Sequence, residues 1–144
     1  MENHCLRIAE SQKSLLGKAD KEMIFCTETC RGLCCKNLNP DTLFTLWDFI
    51  FILVINPDTE SLIAEQLEDM PLQSPSPCPF LRDGEGPCLF PVFVKPQLCV
   101  TTFCGSEERI KEEIRRVNRD FYRLCFAVQK ARVANLVQRG IRLR

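Results

Sequence analysis

Eight cysteines fall into two groups of four, and no other feature of this chain restricts its fold as much. The first group is Cys26-x3-Cys30-x3-Cys34-Cys35; after 42 intervening residues comes Cys78-x9-Cys88-x10-Cys99-x4-Cys104. Cys5 and Cys125 stand outside both groups. Thiols at this density are held either as disulfides or as metal ligands, and the compartment separates the two readings. Residues 1–25 have neither the uninterrupted apolar run nor the small-residue cleavage site of an export signal. The expectation is a cytoplasmic chain whose thiols stay reduced unless a metal takes them. His4 is the one histidine, so any metal site is dominated by sulfur.

The candidate ligands are therefore Cys26, Cys30, Cys34, Cys35, Cys78, Cys88, Cys99 and Cys104. Tetrahedral zinc takes thiolate sulfurs about 2.3 Å from the ion, which leaves the sulfurs only ~3.8 Å from one another. A continuous helix from Cys26 to Cys34 would separate those residues by about 12 Å along its axis. The first group is thus expected to be a folded loop with a helical turn at one end, and Gly32 allows the bend. Adjacent Cys34 and Cys35 should point apart on most backbones and serve different metals, or different irons of one cluster. The second group is rich in Pro and Gly, a composition that metal binding can organise where a hydrophobic core cannot. Zinc, iron or a [4Fe–4S] cluster would each suit such donors. Cys125 falls on an apolar helical face and reads as a buried thiol; Cys5 reads as a spare, and His4 as part of a frayed end.

Between and around these groups the chain reads as mostly α-helical, with irregular metal-organised loops, little β structure, and a long C-terminal helix in one small domain. Residues 6–25 have weak helical periodicity and are expected to form a marginal N-terminal helix. Asn39-Pro40-Asp41 signals a helix start, and residues 42–55 are apolar enough for a buried helix, too short to span a bilayer, and open to a strand over 49–55. A second short helix is expected from Asp58 or Thr59 to Met70, with Leu62, Ile63, Leu67 and Met70 on one side. Short strands are expected near Leu89–Val94. The clearest helix opens at Ser106, followed by Glu107 and Glu108, places Ile110, Ile114, Val117, Phe121, Leu124, Cys125 and Val128 on one face, and ends at Gly140. Residues 1–105 form the cysteine-cluster unit, and residues 106–144 a basic amphipathic helix on the same core.

The formal net charge of zero conceals an asymmetry. Residues 1–105 hold 8 Lys and Arg against 14 Asp and Glu, whereas residues 106–144 hold 11 against 5, giving −6 and +6. Eight thiolates around two dications would carry about −4, and the basic helix is expected to offset part of it. Nucleic acid is disfavoured as a partner, because the acidic part would repel phosphate and no basic platform interleaved with aromatics is evident. No phosphate-cradling glycine loop is present, and a single histidine cannot build a hydrolase set. The expected partners are a metal ion and a protein, with no catalytic residues.

The second group also resembles a known family. Cys78-Pro79-Phe80-Leu81, Asp83-Gly84 leading to Cys88-Leu89-Phe90, Lys95-Pro96-Gln97-Leu98-Cys99 and Thr102-Phe103-Cys104 are similar to elements of the bacterial cysteine-cluster proteins described as zinc- or iron-chelating. The resemblance spans roughly residues 26–104. Arg31-Gly32-Leu33 are three residues where that family has two, Lys95 stands where arginine is usual, and Val100 where a basic residue is common. The resemblance implies a chelating domain of helices and irregular loops. Because the family includes relatives of flagellin lysine methylases, it also implies, as the alternative, an iron–sulfur protein acting in electron transfer or protein modification.

Overall fold

The first helix forms where the periodicity is weakest. A computed structural model describes residues 1–24, 33–37, 44–68, 77–84, 87–91, 93–102 and 108–142. Helix α1, Glu2–Lys18, buries Cys5, Ile8, Ser11, Gln12 and Leu15. These positions recur every three or four residues, so the face is regular, but two of its members are polar. Ser11 satisfies its hydroxyl on the Ile8 carbonyl at 3.0 Å, and Gln12 reaches a distant loop. Cys5, read as a spare outside both groups, is fully buried on this helix, and the frayed end expected at His4 is helical. The bond from His4 N to Met1 O, 2.9 Å, shows that the helix is already formed there.

Helix α2, Asp20–Ile24, and the single turn of α3, Leu33–Lys36, follow. Helix α4, Leu46–Ile55, settles the choice between helix and strand for the apolar segment. Its cap is Thr45, in extended backbone, and Asp48 at the third helical position completes a reciprocal capping box. Thr42 and Asp41, where the start was expected, lie outside the described residues. A 3-10 turn at Pro57–Thr59, with Thr59 Oγ1 donating to Asn56 O at 2.6 Å, leads into α5, Glu60–Glu68. Of the apolar side expected for α5, Ile63 is buried, Leu62 partly so, and Leu67 is exposed; Met70 lies outside the described residues.

Helix α6 is short, Gln97–Thr101, and α7 runs from Lys111 to Arg142. A turn over Glu108–Ile110 precedes α7, and Ile114 N donates to Ile110 O at 3.0 Å. Ser106 and Glu107 lie outside the described residues. The helix does not stop at Gly140, because no turn intervenes there; one glycine costs a helix only about 1 kcal/mol, less than neighbouring residues of high propensity restore. The expected strands near Leu89–Val94 are also absent among the described residues. One antiparallel bridge, Leu81 to Cys88, stands in their place.

Helices α1 and α7 pack along each other, with α4 against both and α6 against α7. Ile8, Leu15, Phe51, Ile52, Ile110, Val117 and Leu124 are almost completely buried in one core, each contributing about 1.5–3 kcal/mol on burial. Phe51 meets Phe121 edge to face at 5.4 Å. The core continues without a break to Phe80, Phe90, Val94 and Val100, so the cysteine-bearing loops rest on the helical layer. At the surface, Lys18 pairs with Glu113, and Arg109 with Glu22 at 2.8 Å, joining the start of the chain to the start of α7. Exposed pairs of this kind contribute about 0–1 kcal/mol.

Candidate metal centre

Cysteines from three separated segments converge beside this core. Cys34 and Cys35 lie in the α3 turn, and the Cys35 carbonyl accepts from Cys78 N at 2.8 Å, which fastens the first group to the second. From Cys78 the chain turns tightly, with Leu81 N donating to Cys78 O at 3.0 Å. Asp83 and Gly84 both adopt left-handed backbone, φ 55° and 71°, a conformation for which Asp-Gly is a preferred pair. The returning arm pairs Arg82 N with Pro87 O at 3.1 Å and Leu89 N with Phe80 O at 2.8 Å. That pairing brings Cys88 back alongside Cys78. Phe80 anchors the turn from below, 4.5 Å from Phe90 and 5.0 Å from Phe44, ring centre to ring centre.

Cys99 is positioned by polar side chains that the sequence reading passed over. Gln12 donates from Nε2 to Lys95 O at 2.7 Å and accepts from Lys95 N at 3.2 Å, so its amide substitutes for a neighbouring strand. Asp48 is buried and accepts from Gln97 N at 2.7 Å through one oxygen, while the other takes Thr45 N at 2.8 Å and Thr45 Oγ1 at 2.5 Å. Gln97 Nε2 donates to Asn118 Oδ1 on α7 at 2.7 Å. Lys95-Pro96-Gln97 is thereby bonded to α1, α4 and α7, and α6 starts from it with Cys99 N bonded to Pro96 O at 3.1 Å. The only signals for these partners were a lone acid in an apolar helix and a glutamine on an apolar face.

The thiols sense one another. Burial pushes the Cys35 thiol up to about 12, with further increments from Cys34, Cys78 and Cys88. Burial likewise pushes Cys78 up to about 11; the Phe80 backbone N–H opposes this by bonding the sulfur, while Cys88 adds to it. Cys99 is exposed at its surface yet crowded on its other sides, and burial, then Cys88, Cys78 and Cys35, push its thiol up against the opposing charge of Lys95. Each added negative charge makes the next ionisation harder, which is the setting in which a bound dication has most effect. The cation that bears on Cys99 is Lys95 of its own loop.

The Cys34 and Cys35 sulfurs are 3.9 Å apart. This departs from the expectation that adjacent cysteines diverge toward different metals, because a tight helical turn lets the two side chains lean together. It also matches the ~3.8 Å spacing of two ligands on one tetrahedral ion. All seven described cysteines are free thiols. Among the described residues no group of three or more Cys, His, Asp or Glu side chains is arranged so that it could hold a metal ion. Cys26, Cys30 and Cys104 lie outside the described residues. Cys5 is remote from this chemistry in the helical core, and Cys125 is half-buried rather than fully enclosed. Among the described residues no helix is long and apolar enough to cross a membrane.

Comparison with protein-family models, with curated proteins and with solved structures finds no match, and the resemblance to the cysteine-cluster proteins rests on the motifs themselves.

Proposed function

We propose that the chain is a metal-binding module of the cysteine-cluster type, holding zinc or iron through thiolates of the two cysteine groups. One observation carries the reading: Cys35, Cys78, Cys88 and Cys99, from three chain segments, lie within electrostatic reach of one another, with Cys34 beside them and no disulfide among them. Ionisation of any one of these four neighbouring thiols is opposed by the rest, and a dication would reverse that opposition. The Phe80 N–H bonded to the Cys78 sulfur is the kind of outer contact that orients a ligating thiolate. A bound ion would be held by these thiols with Cys26, Cys30 and Cys104 as further donors, and its binding free energy would contribute directly to folding.

The test is elemental analysis with an optical spectrum of protein purified without oxygen. Stoichiometric zinc in a colourless protein, or iron with visible absorption that bleaches on reduction, is the expected result. The iron outcome selects the iron–sulfur form of the reading and directs attention to electron transfer or modification chemistry. Protein that contains neither metal, and takes up neither on reconstitution under reducing conditions, overturns the proposal.

A further inference from the structure

Helix α7 has two apolar faces, and only one of them has a partner among the described residues. Ile114, Val117, Phe121, Leu124 and Val128 turn inward and are buried. Tyr122, Phe126, Val133, Leu136 and Val137, at successive steps of four, seven, three and one residues, share another side of the helix, and all are exposed: Tyr122 by 71%, Phe126 by 73% and Leu136 by 67%. At 1.5 Å per residue this outer stripe is about 22 Å long. Beyond Val128 none of the described residues is buried, so residues 129–138 carry about 15 Å of helix past the core.

The stripe is bordered by cations. Arg115, Arg119, Arg123 and Lys130 line an open groove of about 770 Å³, together with Tyr122 and Phe126 and, from α1, His4. Arg132 is exposed near the far end. Two of these cations are paired on the helix itself, Arg115 with Glu112 at 2.5 Å and Arg123 with Asp120 at 3.1 Å, and Glu113 pairs with Lys18; Arg119 and Lys130 have no ion pair among the described residues. Residues 121–144 contain six Arg and Lys and no Asp or Glu. The sequence reading recognised a basic amphipathic helix here but assigned its charge to offsetting the cysteine cluster.

We propose that the outer face of α7 docks on the surface of an anionic lipid bilayer, with Tyr122, Phe126, Val133, Leu136 and Val137 entering the interfacial layer and the flanking Arg and Lys meeting lipid phosphates. An apolar stripe between rows of cations is the pattern of helices that lie in the membrane plane. Two observations choose this occupant. Tyr122 and Phe126 sit on the part of the helix whose opposite face is packed into the core, so a partner approaches from one side only; a flat surface meets that condition, and a groove that encloses a helix does not. Val133, Leu136 and Val137 are aliphatic, and they add burial in acyl chains but no stacking on nucleobases.

The experiment is vesicle flotation of the full chain in low salt, comparing pure phosphatidylcholine with phosphatidylcholine–phosphatidylglycerol mixtures. The wild-type chain is expected to float with the anionic vesicles and not with the neutral ones. The double variant Phe126→Ser with Leu136→Ser, both at exposed positions, is expected to lose about tenfold or more of that partitioning, the equivalent of removing one or two large apolar insertions. Failure of the wild type to bind anionic vesicles overturns the proposal. So does full retention by the double variant, which would leave charge alone as the cause. Binding of a short oligonucleotide in preference to vesicles, or a concentration-dependent dimer that the double variant abolishes, overturns it in favour of nucleic acid or of a second copy.

Discussion

Replacing Asp48 with alanine tests the claim that buried polar contacts, and not metal alone, position the second cysteine group. Asp48 is 1% exposed and accepts from three donors. Removing it strands the Gln97 N–H, at a cost of about 1–3 kcal/mol for a donor without a partner. It also removes one half of the capping box of α4, about 0.5–2 kcal/mol. The sum is about 3 kcal/mol, which at a urea dependence of roughly 2 kcal/mol per molar lowers the unfolding midpoint by about 1.5 M. Asp48→Asn keeps one acceptor oxygen and should lose about half as much. The assay is urea denaturation of the metal-free, reduced protein, with alkylation rates of Cys99 and Cys5 measured in native buffer. Cys99 should become faster than Cys5 in proportion, because its loop is released while the helical core persists. A midpoint shift below about 0.3 M, or equal acceleration of both cysteines, would refute the reasoning.

Gln12→Leu should destabilise by about 1–3 kcal/mol, since both Lys95 backbone groups lose their partner, and native-state hydrogen exchange should report the loss at the Lys95 amide. Cys5 is enclosed in the core and burial raises its thiol, so under native conditions it should be the slowest of the described cysteines to alkylate; modification as fast as Cys34 would contradict the packing of α1. Metal-free protein should hold its stability below about pH 9 and lose it as the pH rises toward 11–12. Cys35 and Cys78 are pushed to about 12 and about 11 in the fold, while in the unfolded chain they ionise near 9, so the unfolded state binds fewer protons across that window. Denaturation midpoints at pH 8 and pH 10.5 check the sign, and metal-loaded protein should show the opposite trend at acid pH, releasing metal as the thiolates are protonated.

Much of the helical frame was legible because its cues are local. The apolar run of residues 42–55 was long enough for a helix, although its cap proved to be Thr45, and the inner face of α7 repeats at three and four from Ile114 to Val128. Helix α1 was underread because its buried face includes Ser11 and Gln12, whose polarity weakens the hydrophobic signal although their positions fit it. The strands expected near Leu89–Val94 reduce to one bridge because the Asp83-Gly84 turn closes a very short hairpin, and the following prolines withhold the donors that a ladder needs. For the candidate site, cysteine spacing named the thiols, but the contacts that place Cys99 span 83, 49 and 21 residues of sequence, beyond any local pattern. The divergence expected of Cys34 and Cys35 failed because the helical turn expected at one end of the first group falls on these two residues and brings their sulfurs together.

These contacts separate two quantities that a metal protein often merges, the stability of the frame and the affinity of the site. Cys99 is held by Pro96, and through Lys95 and Gln97 by α1, α4 and α7, none of which requires its sulfur. Cys99→Ser should therefore leave the urea midpoint of metal-free protein almost unchanged, within the roughly 0.5 kcal/mol of an ordinary surface substitution, while lowering the metal content or the affinity measured against a chelator. Asp48→Ala should reduce both, because it moves the backbone that carries the ligand. If Cys99→Ser destabilised the metal-free protein as much as Asp48→Ala does, the thiol would be a packing element, and the ordered loop around it could no longer be read as a ligand held ready by the helices.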